Sequence, residues 1–176
     1  MVRQPNIYGG GAQTNINGLH FEQTTSLNNL LEERGFKVSE CKVTIENKLI
    51  GMSVPKRNIY NKFLVPRGID YKNYNSKGWE PDEAFINLLN NRVYIIEKKF
   101  QKCSGSVDEK LPNCHFKKLE YQKLFTPLQF KVEFVYVLSD WFKNPQYKDV
   151  LEYIEMMGCY YYFNTLPLEL LGLTEQ

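Results

Sequence analysis

The sequence predicts an α/β fold in which a central mixed β-sheet is flanked by helices. An apolar stripe of leucines followed by Gly35 predicts a helix over residues 19–34. Two apolar runs on either side of Asn90-Asn91 predict a β-hairpin. Toward the C-terminus, a strand, a helix and another strand follow one another, an order typical of helices packed on a sheet.

The remaining elements complete this pattern in chain order. Residues 1–18 are rich in Gly, Asn and Gln and are expected to form an irregular arm. Residues 36–54, which include FKVSECKV, alternate enough to predict one or two strands, and residues 53–80 form a basic and aromatic insert before the hairpin. The later predictions are a helix from His115 to Phe125, a strand in FKVEFVYVLS, a helix in QYKDVLEYIEMMG ended by Gly158, and a last strand in CYYYFN.

Composition favours one domain over residues 1–176 and argues against several functional classes. The chain has 176 residues, of which 43% are hydrophobic, enough for a single core. Because 22 Lys+Arg face 20 Asp+Glu, the net charge is only +2, and any affinity for a polyanion must come from local clusters. The four cysteines form no C-x-x-C pair, which argues against a zinc finger, and no phosphate-binding G-x-x-x-x-G-K-[ST] loop occurs.

The sequence shows no run of about 18 apolar residues and no apolar signal core at its start. We therefore expect no membrane partner and a cytoplasmic location, in a bacterium or a virus.

The hairpin places charged groups at its open end. If Asn90-Asn91 is a two-residue loop, Asp82 lies opposite Lys99 and Ala84 lies opposite Glu97. Because side chains alternate along a strand, Asp82, Glu97 and Lys99 then share one face, while Lys98 points to the other. A three-residue loop would shift the pairing by one and separate the three groups.

Charge indicates what these groups do. Two carboxylates on adjacent strands repel each other unless a cation lies between them, and hard oxygen ligands suit Mg²⁺, with Mn²⁺ as a substitute and no organic cofactor. Lys99 then orients or deprotonates the attacking water, or stabilises charge on a phosphate, and the residues leave this choice open. The alternative is a solvated sheet edge, where lysine discourages pairing. The apolar run from Val93 to Ile96 favours a buried strand instead.

Pro81-Asp82 and Glu97-Lys98-Lys99, with a hairpin between them, resemble the motif of the PD-(D/E)XK nuclease superfamily, to which many type II restriction endonucleases belong. The resemblance spans roughly residues 19–140 and implies a restriction-endonuclease-like core with Asp82 and Glu97 as metal ligands and Lys99 as a catalytic residue. It also implies a metal-binding role for Glu22, although glutamate near a helix start needs no function to be there. Gln101, two places beyond Lys99, recurs in some nucleases of this kind.

Two basic segments and the N-terminal arm supply candidate DNA contacts, since lysine and arginine bind phosphates while Asn and Gln read bases. The alternative for both segments is a solubilising surface. The candidates are Lys56, Arg57, Lys62, Arg67, Lys72 and Lys77 in the insert, Gln101, Ser104, Ser106 and Lys110 after the motif, and Arg3, Gln13 and Asn15 in the arm.

The sequence and the resemblance together predict a Mg²⁺-dependent type II endonuclease that cuts double-stranded DNA at a short sequence as a homodimer. Two alternatives remain open: a structure-selective repair or junction-resolving nuclease of the same superfamily, and a DNA-binding protein without catalytic activity.

Overall fold

The computed structural model describes residues 11–102 and 108–173. Within them, one mixed sheet runs in chain order from β1 to β7, with antiparallel pairing up to β5 and parallel pairing of β5, β6 and β7. The predicted α/β fold with a central mixed sheet is therefore confirmed. The strands are β1 (Lys37–Ser39), β2 (Lys42–Ile45), β3 (Lys48–Ser53), β4 (Glu83–Asn87), β5 (Arg92–Lys99), β6 (Lys131–Leu138) and β7 (Tyr160–Phe163). The helices are α1 (Gly11–Thr24), α2 (Leu27–Glu33), α3 (Cys114–Phe125) and α4 (Lys148–Met156).

The N-terminal region differs from its prediction. The irregular arm predicted over residues 1–18 is wrong from Gly11 onward, where α1 begins, and residues 1–10 lie outside the described part of the chain. The single helix predicted over residues 19–34 is two helices. Hydroxyl groups explain the break, because Thr25 Oγ1 donates to the Phe21 carbonyl at 2.7 Å and competes with the helical backbone for that oxygen.

Residues 36–54 form three strands rather than the predicted one or two. Two pairs of residues adopt positive φ, Glu40 with Cys41 and Glu46 with Asn47, and each pair turns the chain back on itself. The segment FKVSECKV therefore crosses a turn, which its alternating pattern does not show.

The hairpin of β4 and β5 forms, but its predicted register is wrong. Asn87 pairs with Arg92 and Ala84 pairs with Ile95, so the loop has four residues rather than two. The cause is the buried Asn87 side chain, whose Oδ1 accepts hydrogen bonds from the backbone N–H groups of Leu89 at 2.8 Å and Asn90 at 3.2 Å. This turn ends β4 two residues earlier than predicted.

The sheet lies between two layers that cover its two faces. Alternate residues of β5 divide between them: Val93 and Ile95 pack with the cluster that includes Phe125 of α3, and Tyr94 packs with the cluster that includes Leu31 of α2. The basic insert contributes to the first layer through a short helix at Ile59–Leu64, whose apolar side chains are buried. The sheet thus has a face covered by α3 and a face covered by α1 and α2.

β5 is an internal strand, because β4 pairs with one of its edges and β6 with the other. The side chains of Glu97 and Lys98 are only 5% and 2% exposed. The alternative of a solvated sheet edge is therefore wrong. Among the described residues, no helix is both long enough and apolar enough to cross a membrane.

Candidate active site

The three groups of the predicted motif lie together where β4 begins and β5 ends. Lys99 Nζ lies 2.8 Å from Glu97 Oε2 and 3.7 Å from Asp82 Oδ2. The register error does not separate them, because the observed shift is two residues and a strand alternates with a period of two. Asp82, Glu97 and Lys99 therefore share the face of the sheet that α3 covers.

Asp82 is ionised because its neighbours outweigh its burial. Burial alone would raise the pKa of this carboxyl group. The ammonium group of Lys99, the backbone N–H of Lys98 at 2.8 Å from Oδ2, and the ammonium group of Lys56 at 3.2 Å from Oδ1 together hold the pKa of Asp82 below its ordinary value. A carboxylate of this kind is available as an oxygen ligand at neutral pH.

Lys117 is a further member of the site, which the sequence indicates only as one lysine of a basic cluster after the motif. It lies in the first half of α3, and its Nζ is 2.9 Å from Glu97 Oε1. Each oxygen of this buried carboxylate thus has its own lysine, Lys99 on Oε2 and Lys117 on Oε1. The sequence contained only a lysine-rich helix following the motif, and no spacing rule connects that helix to Glu97.

Lys56 lies within the site, next to the carboxylates rather than on a separate DNA-binding surface. Its Nζ is 3.2 Å from Asp82 Oδ1 and 3.8 Å from Glu22 Oε2, so one ammonium group connects the motif to α1. Its backbone has φ of +50°, in the left-handed region that side chains other than glycine rarely adopt. The hydrogen bond from Lys56 N to Pro81 O, at 3.0 Å, fixes this conformation beside the aspartate.

A buried ion pair on the opposite face holds α1 against the site. Lys98 Nζ lies 2.9 Å from Glu83 Oε2 and donates to the Glu22 carbonyl at 2.9 Å. Glu83 also accepts from the backbone N–H of Leu27 at 3.1 Å, at the start of α2. Burial raises the pKa of Glu83, although Lys98 acts in the opposite direction. As predicted, the side chain of Lys98 points away from Asp82. Its hydrogen bond to the Glu22 carbonyl positions the part of α1 that carries Glu22.

The other basic candidates for DNA contacts within the described residues are all exposed, and three of them also have a partner. Arg57 binds Glu80 at 2.9 Å, the Arg67 guanidinium lies 3.8 Å from the centre of the Phe63 ring, and Lys77 Nζ lies 4.1 Å from the centre of the Trp79 ring. Lys62, Lys72 and Lys110 are exposed. These positions are compatible with phosphate contacts, which stay a prediction.

The other predicted contacts have different outcomes. Gln101 is only 5% exposed, and its side-chain amide has no hydrogen-bond partner among the described residues, so its burial argues against a direct contact with DNA in this conformation. Gln13 and Asn15 lie on α1 rather than in an irregular arm. Arg3, Ser104 and Ser106 lie outside the described residues.

The residues at the site fit a hard divalent cation. Asp82 and Glu97 supply oxygen ligands around Lys99, and Glu22 is joined to them through Lys56. Among the described residues, no three His, Cys, Asp or Glu side chains are arranged as a ready metal-binding group. Lys56 and Lys99 contact carboxylate oxygens that a metal would share, so these lysines would compete with a metal for them.

A comparison with known protein families identifies this chain's relatives. The model of the PD-(D/E)XK nuclease superfamily domain matches residues 13–124, a range that includes most of α1, the insert, the hairpin and most of α3. Searches of curated proteins and of solved structures gave no significant match.

Proposed function

This chain belongs to the PD-(D/E)XK nuclease superfamily, and on that basis we propose that it is a Mg²⁺-dependent DNA endonuclease. The observation that carries the proposal is the position of Lys99, whose ammonium group contacts both Asp82 and Glu97 on one face of the sheet. We further propose that it acts on a short sequence in duplex DNA as a homodimer, in the manner of a type II restriction enzyme. Two-fold symmetry lets two copies of one site cut both strands of a palindrome.

Asp82 and Glu97 would hold Mg²⁺, with Glu22 completing the ligand set. The ion supplies Lewis acidity toward the phosphate and lowers the pKa of a bound water. Lys99 of the chain itself orients the attacking water and stabilises negative charge on the phosphate. Lys117 holds Glu97 in place from the other side.

Replacing the motif residues tests the proposal. In Asp82→Ala and Lys99→Ala, cleavage of supercoiled plasmid in Mg²⁺ should fall at least about a hundredfold, because each change removes a group that acts on the reacting phosphate. DNA binding, measured by fluorescence anisotropy in Ca²⁺, should persist. The exposed Lys48, which begins β3 and is not a candidate DNA contact, provides a matched control, and Lys48→Ala should cleave normally. Normal cleavage by either motif variant would refute the assignment.

The products separate the two nuclease candidates. Discrete bands from a mixed-sequence plasmid support sequence-specific cleavage. A structure-selective nuclease is the second candidate, favoured by the exposed ring of Phe116, which borders the site through Trp79. That enzyme would leave the plasmid intact or produce a smear, and would cut a branched or gapped duplex.

A further inference from the structure

Two aromatic side chains meet at the edge of the site. The rings of Trp79 and Phe116 lie 6.0 Å apart and are nearly perpendicular, at 84°. A hydrogen bond fixes the backbone of Trp79, because its carbonyl accepts from the hydroxyl of the buried Tyr60 at 2.6 Å. Phe116 lies in the first turn of α3 and is 53% exposed, so its ring is open to a ligand. We call this pair the aromatic platform.

Two lysines flank the platform and connect it to the active site. Lys77 Nζ lies 4.1 Å and Lys117 Nζ lies 5.6 Å from the centre of the Trp79 ring. The same Lys117 ammonium group is 2.9 Å from Glu97 Oε1. One cation is therefore shared between the catalytic carboxylate and the indole ring. A ligand that contacts both the aromatic rings and the lysines beside them must combine a planar ring with negative charge.

We propose that the aromatic platform stacks an unpaired nucleobase of the DNA strand whose phosphate lies at the active site. In a regular duplex, neighbouring bases cover both faces of each base, and only a base displaced from the helix or left unpaired offers a free face. The exposed Lys77 binds a phosphate beside that nucleotide, while Lys117 stays paired with Glu97 and contributes positive charge next to the ring. This inference rests on the proposed nuclease function and deepens it by naming the feature of the substrate that the site recognises.

A second copy of the chain is the other candidate that could cover the exposed side chain of Phe116. Leu119, one helical turn from Phe116, is also exposed, at 48%. The cations favour DNA, because two ammonium groups beside the ring would be costly to bury against a copy carrying the same charges. Leu119 in turn provides a control on the same helix.

The test compares binding of two DNA duplexes without Mg²⁺, so that no cleavage occurs. The duplexes have the same sequence, and in one of them a 2-aminopurine lacks a pairing partner. Wild-type protein should bind this duplex more tightly and quench the 2-aminopurine fluorescence. In Phe116→Ala the preference should fall roughly tenfold, while affinity for the paired duplex stays the same. Leu119→Ala should behave as wild type.

Equal affinity of the wild type for the two duplexes would overturn the inference, and so would equal effects of Phe116→Ala and Leu119→Ala. It would also be overturned if sedimentation showed that Phe116→Ala converts a dimer into a monomer while the preference for the unpaired base stays intact. Phe116→Tyr keeps a ring at the position and should restore the preference if Phe116→Ala folds poorly. Binding with the preference but no cleavage in Mg²⁺ would refute the nuclease proposal alone. Cleavage of paired DNA without any preference would refute the platform alone.

Discussion

Three lysines contact the two carboxylates of the motif at the ends of β4 and β5. Lys56, Lys99 and Lys117 contact only Asp82 and Glu97 within the motif, and Glu22 approaches through Lys56. Although burial acts in the opposite direction, Lys99 and Lys56 help to hold the pKa of Asp82 below its ordinary value, and the lysines compete with an incoming metal for the carboxylate oxygens. A phosphate brings negative charge of its own, so DNA and metal should bind more favourably together than either does alone.

Removing Lys56 should strengthen metal binding in the absence of DNA. In Lys56→Met, Asp82 and Glu22 lose a competing cation, and the dissociation constant for Mn²⁺ should fall by up to about fivefold, the scale of a partly exposed ion pair. Electron paramagnetic resonance of free Mn²⁺ measures this constant directly. Lys62→Met should leave it unchanged, and weaker Mn²⁺ binding in Lys56→Met would show instead that Lys56 supports the metal.

Some of these residue contacts follow from the sequence and others do not. The alternation of β5 suffices to place Glu97 and Lys99 on one face and Lys98 on the other. Lys117 and Lys56 reach the same carboxylates from a helix and a loop that are distant along the chain, and no local pattern encodes such distances. Sequence reasoning therefore found the part of the site that one hairpin carries.

At the scale of elements, the Glu83–Lys98 pair joins the hairpin to the two N-terminal helices. Glu83 binds the start of α2, and Lys98 binds the end of α1 through the Glu22 carbonyl. The pair therefore controls how closely α1 approaches Asp82. Its burial makes it costly to break from one side only, since a single charge would remain without a partner.

Glu83→Gln should lower the free energy of unfolding by about 3 kcal/mol or more, because the buried Lys98 side chain loses its partner carboxylate. The double variant Glu83→Leu with Lys98→Met removes both charges and should recover much of this loss. Urea unfolding followed by circular dichroism measures both. If the double variant loses as much free energy of unfolding as Glu83→Leu and Lys98→Met lose together, the two residues are not coupled and the explanation fails.

Turn chemistry decided which elements the sequence predicts well. The strand β6 matches its prediction because a continuous apolar run specifies it, and α3 and β7 also form where they were predicted. The errors lie at turns, where one side chain overrides the pattern: Asn87 shortens β4, and Thr25 interrupts the first helix. These are local hydrogen bonds, and periodicity contains no information about them.

For the molecule as a whole, a net charge of +2 means that DNA affinity depends on where the lysines lie. Lys77 lies against Trp79 at the edge of the site, whereas Lys48, at the start of β3, lines a cleft with Leu89 of the loop between β4 and β5. The two lysines are both exposed and carry equal charge, which makes them a matched pair.

Binding to duplex DNA should show this difference in its salt dependence. Lys77→Ala should reduce the slope of log Kd against log salt concentration by about 1, the effect of losing one phosphate contact, while Lys48→Ala should leave the slope unchanged. Anisotropy titrations in Ca²⁺ at several salt concentrations provide the slopes. Equal slopes for both variants would mean that the DNA path does not pass Trp79.

The four-residue loop between β4 and β5 has a consequence for how this nuclease can diverge. The motif stays on one face when the pairing of β4 with β5 slips by an even number of residues, as the difference of two between the predicted and observed registers illustrates. The loop itself can change length freely, but a single residue inserted within β4 or β5, between the loop and the motif, turns Asp82 away from Glu97 unless a bulge absorbs it. Insertions and deletions within the two strands of this hairpin are thus subject to a parity constraint, much as a coding sequence is subject to its reading frame.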